Sequence, residues 1–421
     1  MFEKTTLKNG LRVITVPVKN TKAVTVLVLV GTGSKYEKKE INGISHFLEH
    51  MFFKGTKKRP STLKIAETLD KIGGTFNAWT SKEFSGYFAK VDSRHLDLAL
   101  DWVSDIFLNS KIETQQLEKE KGVIIEELNM YLDTPVKYIG DLWEKLLYGG
   151  QPAGWKTIGT KENILRFKRK DFLNYLKNHY SVLNSIVCVA GNFNQKEILP
   201  KIKKYFKKIR KKPPLGKIAV KESQEKPGLL LYFKKTDQTH LSLGVRGYDL
   251  FGPQRYAQEI LATILGGNMS SRLFTKIRGE KGLAYYIQTD SELYTDSGYL
   301  VTQTGVPHQD VIKVINLILE EYKNVRDKKI SKEELQKAKD YLKGSLNLSL
   351  ESSDAQASFY AFQELLTGKI LTVEEKLKMI EKVSSDDIQN VAKEIFKPQK
   401  LNLVLIGPHK NDKLFKEILT I

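Results

Sequence analysis

The chain repeats itself. Ile112-Glu113-Thr114-Gln115-Gln116-Leu117-Glu118-Lys119-Glu120-Lys121 resembles Ile330-Ser331-Lys332-Glu333-Glu334-Leu335-Gln336-Lys337-Ala338-Lys339, at an offset of 218. The same offset carries Leu183-Asn184 onto Leu401-Asn402, and each pair is expected to begin a strand, after helices ending at Tyr180 and Phe396. Lysine-rich helices resemble one another by chance. Two matches in one register, far apart, point instead to duplication of an α/β unit about half the chain long. A chain of 421 residues is also too long for one ordinary core. The best break is the polar stretch that opens at Lys211-Lys212-Pro213-Pro214-Leu215-Gly216 and runs to Gly228. The fold class read from this is α+β. Two homologous α/β domains, each a mixed sheet with helices packed on one face, occupy 1–210 and 229–421, with a linker at 211–228.

The halves are not chemically equal. Only the first carries His46-Phe47-Leu48-Glu49-His50, and at the offset Glu127 falls on Ser345 and Glu120 on Ala338. The chain has 7 histidines, and two of them stand here around one glutamate. On a helix opened by Asn42-Gly43, histidines four apart share a face, with their bases roughly 6 Å apart. That suits two imidazoles reaching one zinc ion. Glu49 lies about 60° around the axis from His46 and about 100° from His50. It reaches the open side of the ion without being a ligand. The order H-x-x-E-H is the inverse of the H-E-x-x-H zinc motif, and both place two ligands and a base on one helical face.

Further elements follow from pattern. The turn at Asn9-Gly10 joins strands within Thr5 to Val30. Ala23 to Val30 alternates as a half-buried strand should. A helix spans Thr62 to Ile72, Thr75–Thr80 and Phe84–Val91 form a strand pair, and long helices run from His95 to Leu108 and from Thr114 to Tyr131.

Composition removes several function classes. The net charge of +19 comes from 68 Lys+Arg against 49 Asp+Glu, spread along the chain as a solvated surface rather than gathered for nucleic acid. No apolar run approaches the ~18 residues that span a bilayer. Met1 to Thr6 lacks the apolar core of a signal peptide. Cys188, the only cysteine, sits in the apolar run Ile186–Ala190 and permits no intrachain disulfide. The expectation is a cytoplasmic protein without nucleic-acid or membrane partners.

His46-Phe47-Leu48-Glu49-His50-Met51-Phe52-Phe53-Lys54-Gly55-Thr56 closely resembles the inverted-zincin (pitrilysin-type, M16) metallopeptidases. The likeness is greatest to the two-domain branch that includes mitochondrial processing peptidase and its bacterial relatives, and it covers essentially the whole chain. It implies a clamshell of two domains around a chamber, one Zn²⁺ per chain, and endopeptidase cleavage of peptides or unfolded segments with Glu49 as general base. The family's third ligand is a glutamate in the position of Ile124-Ile125-Glu126-Glu127-Leu128. Glu127 is preferred, since Glu126 points about 100° off that face. Glu120, two turns earlier on the same face, matches a second glutamate that supports the site. Gly74-Thr75-Phe76-Asn77-Ala78-Trp79-Thr80 is similar to the edge strand on which the substrate adds as a further strand, so Asn77, Ala78 and Trp79 are implied as substrate contacts. Arg278-Gly279-Glu280-Lys281-Gly282-Leu283-Ala284-Tyr285 matches the family's Arg/Tyr element, implying that Arg278 and Tyr285 reach the substrate and the oxyanion. Because one chain carries both elements, a homodimer is expected, with a heterodimer with a related subunit open. The rival readings are a processing peptidase of leader or precursor peptides with a dedicated partner, a non-catalytic subunit of the same fold, and a scaffold with structural zinc. The intact His46, Glu49, His50 and Glu127 argue against the last two.

Overall fold

The computed structural model describes residues 2–420. Six strands form the first sheet: β1 (Glu3–Thr6), β2 (Arg12–Pro17), β3 (Ala23–Val30), β4 (Thr75–Thr80), β5 (Ser85–Asp92) and β6 (Ser185–Gly191), in the order β1-β2-β6-β3-β5-β4. The second contains β7 (Gly228–Phe233), β8 (Thr239–Arg246), β9 (Ile287–Leu293), β10 (Gly298–Val306) and β11 (Leu401–Gly407), in the order β7-β11-β8-β10-β9. Apart from β1 the two sheets repeat each other. The pair β2/β6 is parallel, as is β7/β11, and every other pairing is antiparallel in both. The repeat does not keep one offset. The helices Thr114–Asp133 and Lys332–Ser349 are 218 apart, but β6 and β11 begin at Ser185 and Leu401, two positions short of that. Leu183 and Asn184 therefore do not begin a strand. They lie in the single 3-10 turn Val182–Asn184 that precedes β6.

The two compact units are not the contiguous halves that a break at 211–228 would give. The first comprises Met1–Asn129, Trp155–Ile218 and Leu348–Leu371, and the second Met130–Gly154, Ala219–Asn347 and Thr372–Ile421. One helix has been exchanged in each direction. The helix Ser353–Thr367 packs Ala357 and Ala361 on Ile14, Leu27, Leu29, Ile186 and Cys188 of the first sheet. It is fixed there by Thr25 Oγ1 to Ser353 Oγ at 2.8 Å, Lys90 to Asp354 at 2.7 Å, and Arg12 and Lys4 to the buried Glu364 at 3.2 and 2.7 Å. The helix Pro135–Tyr148 covers Val301, Val404 and Ile406 of the second sheet with Tyr138, Ile139, Leu142 and Trp143. The remaining helices of that unit build its larger core on the other face. This exchange is why β3 is buried from Val24 through Val30 and is not half-exposed: both of its faces are covered.

One buried histidine gives the first unit a pH-dependent stability. His179 ends the helix Arg169–His179 at 3% exposure, with its ring 4.4 Å from that of Tyr175 and, among the described residues, no hydrogen-bond partner for Nδ1. Burial, then the nearby Lys212 charge, lowers its pKa from 6.5 to about 4. A depressed histidine pKa means that below 6.5 the unfolded chain takes up a proton that the native protein does not. Stability is thus complete above that pH and is lost as the pH falls toward 4. At pH 5 the expected loss relative to pH 7.5 is roughly 2 kcal/mol. Urea unfolding of zinc-free protein at the two pH values should show it, and His179→Phe should lack that share of the difference.

Candidate metal and catalytic site

The helix Ile44–Phe52 presents two faces. Phe47, Leu48, Met51 and Phe52 are fully buried, with Phe47 against Phe167 and Phe172 and Phe52 against Tyr87 on β5. His46 and His50 lie on the other face, ring centroids 4.8 Å apart. The start of this helix is unusually well held. Gly43 takes φ +100°, and a side chain on it would collide with the Ile158 carbonyl at 2.6 Å. The buried carboxylate of Glu37 accepts the N–H groups of Gly43 and Ser45, both at 2.8 Å, and the Asn42 amide at 2.9 Å. An anion at a helix N-terminus satisfies donors that the helix itself leaves unpaired. Ser45 Oγ also meets Tyr175 at 2.7 Å, which in turn meets Thr32 at 2.7 Å.

The long helix Thr114–Asp133 supplies the carboxylates. Glu127 Oε1 lies 3.5 Å from His46 Nε2 and its Oε2 3.3 Å from His50 Nε2. Ligand atoms of the three side chains fall within 4.8 Å of one another, the one such group among the described residues. These separations exceed those of ordinary N–H···O bonds, about 2.7–3.2 Å. Each carboxylate oxygen faces a different imidazole, near the roughly 3.4 Å that separates two ligands each about 2.1 Å from a tetrahedral zinc. The donor set, two imidazoles and one carboxylate, is also that of catalytic rather than structural zinc. Glu126 is exposed and outside the cluster. The residues present therefore fit the metal.

Glu120 is buried behind this cluster. Its Oε1 holds His50 Nδ1 at 2.9 Å and its Oε2 holds Lys54 Nζ at 2.7 Å. A carboxylate on the far nitrogen of a metal-ligating histidine fixes its tautomer and orientation. Burial alone would raise the Glu120 pKa, but these two partners keep it below its ordinary value. Burial depresses His50, yet the Glu120 and Glu127 carboxylates more than offset this and carry it to about 9. The Glu120 and Glu127 carboxylates thus favour positive charge between them. Glu49 is no member of this cluster but lies within electrostatic reach of His46, His50 and Glu127. Its Oε2 accepts the Thr80 hydroxyl at 2.7 Å, and burial raises its pKa despite that bond.

β4 ends the first sheet, paired on one side only, to β5. Asn77 is exposed, and its Oδ1 accepts the Ala78 N–H at 2.9 Å. Ala78 is buried, and Trp79 lies against Phe88 and Phe362. In the second unit a π-helical turn, Phe274–Glu280, carries Arg278. Such turns recur at functional sites. The Arg278 guanidinium sits 4.7 Å from the Phe274 ring centroid and 5.2 Å from that of Tyr285, which is 78% exposed. Glu37, Lys54 and Thr80 were not legible as site residues in the sequence. Lys54 stands two residues beyond the end of the helix that carries His50, so helical period does not place it beside Glu120.

This geometry defines a zinc metallopeptidase of the inverted H-x-x-E-H type, and comparison with known proteins agrees. The family model described as Insulinase (Peptidase family M16) matches residues 12–161, and that of the Peptidase M16 inactive domain matches residues 166–342. The chain belongs to peptidase family M16, and its cofactor is zinc. An uncharacterized zinc protease of Bacillus subtilis (strain 168), YmxG, is 37% identical over 412 residues, covering 98% of this chain and 99% of its own. An uncharacterized zinc protease of Rickettsia felis is 33% identical over 97% of this chain and 98% of its own. Among solved structures, a protease from Helicobacter pylori superposes with a TM-score of 0.89 at 25% identity, over 97% of this chain and 99% of that one. No helix among the described residues is long and apolar enough to cross a membrane.

Proposed function

We propose that His46, His50 and Glu127 hold the zinc and that Glu49 is the general base of an endopeptidase acting on peptides or unfolded segments. The observation that carries this reading is the division of labour among the carboxylates. Glu127 closes the cluster, Glu120 orients His50, and Glu49 is held apart by Thr80. When bound, the zinc supplies a Lewis acid and lowers the pKa of water toward neutrality. Glu49 removes the proton of the attacking water and then delivers it to the leaving amine. Its burial favours the protonated form, which suits the second step. The free edge of β4 takes the peptide backbone as an added strand, with Asn77, Ala78 and Trp79 beside it. Arg278 and Tyr285 donate to the substrate and to the developing oxyanion. A chain with both elements has no need of a second kind of subunit, which supports a homodimer, and the site's three glutamates argue against a merely structural subunit. We place the protein in the cytoplasm.

A quenched fluorescent peptide tests this. Chelation should stop cleavage and added zinc should restore it. Tyr285→Phe should cost about 10²–10³ in kcat, as losing one oxyanion donor does elsewhere, with zinc content unchanged. Should Tyr285→Phe and Arg278→Ala both leave kcat and KM at wild-type values, the second unit takes no part in the chemistry.

A further inference from the structure

Glu49 is a three-carbon side chain asked to serve one proton transfer after another from a fixed point. Its backbone is rigid, but its carboxylate has one restraint only. Thr80 Oγ1 lies 2.7 Å from Oε2, and no other hydrogen bond reaches that carboxylate among the described residues. The Thr80 hydroxyl has a single proton. Its alternative acceptor, the Ser45 carbonyl one turn before Glu49, is at 3.5 Å, so the proton goes to Glu49. A carboxylate oxygen can only accept here, so the direction of the bond is settled while Glu49 is ionised.

Thr80 is itself well fixed. It is the last residue of β4 and pairs with Ser85, whose hydroxyl is spent on the Thr32 carbonyl at 3.0 Å. The turn that follows is closed by Ser81 N–H to the Phe84 carbonyl at 2.9 Å. It is pinned to the segment before the metal helix by Lys35 N–H to the Lys82 carbonyl at 2.9 Å and by the buried Lys35–Glu83 ion pair at 3.0 Å. A β-branched residue in a strand has few rotamers available. A stiff donor on a pinned strand therefore fixes one oxygen of a flexible acid and leaves the other, Oε1, as the proton acceptor.

We propose that Thr80 is the positioning residue of the catalytic base: by donating to Oε2 of Glu49 it selects the rotamer in which Oε1 faces the reacting water and the leaving amine. This rests on the reading of Glu49 as the base. Thr80 touches neither the cluster ligands nor the substrate in this role, so its effect belongs in kcat.

The test compares Thr80→Val, which keeps the shape and deletes the donor, with Thr80→Ser, which keeps the donor, each alone and combined with Glu49→Gln. Outer-shell partners of this kind are typically worth about 10–100-fold. Thr80→Val should lower kcat by that factor, with KM, zinc content and melting temperature unchanged, and Thr80→Ser should recover most of the loss. In the Glu49→Gln background Thr80→Val should cost nothing further, because the amide that Thr80 would still hold transfers no proton. Wild-type kcat in Thr80→Val, equal losses in the Val and Ser variants, or a loss that persists undiminished on the residual turnover of Glu49→Gln would each overturn the proposal while Glu49→Gln itself stays several orders of magnitude below wild type. An active Glu49→Gln protein would overturn the reading of Glu49 beneath it.

Discussion

Replacing Glu49 by glutamine leaves the zinc and the peptide affinity in place and removes turnover by several orders of magnitude. Glutamine keeps the shape of the side chain, and its carbonyl oxygen can still accept the Thr80 hydroxyl that now meets Oε2 at 2.7 Å. Glu49 is no member of the three-residue cluster, so metal binding has no reason to change. What disappears is basicity. An amide neither takes the proton of the attacking water nor returns one to the amine. The first loss alone is typically worth about 10²–10⁴ in rate, and a variant retaining more than about a tenth of wild-type kcat would contradict the role. Burial already raises the Glu49 pKa, so a neutral side chain there is well tolerated and the fold should survive. Steady-state kinetics beside elemental analysis of the same preparation separates the two effects. The inactive protein would also trap substrate peptides for mass spectrometry.

The parts of this site that could be read in the sequence are those set by helical period. His46, Glu49 and His50 are close in sequence, so 3.6 residues per turn places them without any tertiary knowledge. Glu120 and Glu127 share a face for the same reason, but nothing local says that their helix lies beside the other. Only the likeness to a family made that link. Glu37 and Thr80 carry no signal at all. The first caps a helix from an irregular segment, and the second is one more threonine in a strand until the fold brings Glu49 to it. The same limit hid the exchange of helices. Ser353–Thr367 has a small-residue stripe, Ala357 and Ala361, that suits a sheet, but an apolar stripe does not say which of two homologous sheets it covers. The repeat was visible in the lysine-rich helices, while the two-position slip was not, because the equivalent turns Val182–Asn184 and Pro398–Lys400 share no sequence pattern and Leu-Asn recurs at the wrong offset.

His50→Ala should bring zinc from about one ion per chain to nearly none after dialysis. Three protein ligands hold catalytic zinc, and this change removes one while stranding another group. Glu120 would lose the imidazole that it holds at 2.9 Å and would keep only Lys54. The fold should not suffer comparably, since the His50 side chain is 22% exposed and the apolar face of its helix is untouched. Unchanged circular dichroism beside lost metal is therefore the expected pair of results. Glu120→Gln gives the graded case. It leaves all three ligands in place but weakens the acceptor on His50 Nδ1, and outer-shell changes of this sort cost about 10–100-fold in affinity. Zinc affinity should thus fall in the order wild type, Glu120→Gln, His50→Ala, as read by competition with a chromophoric chelator. Full zinc occupancy in His50→Ala, measured by elemental analysis, would mean that the ion is held elsewhere and would remove the metal assignment. The described residues offer no second such cluster to hold it.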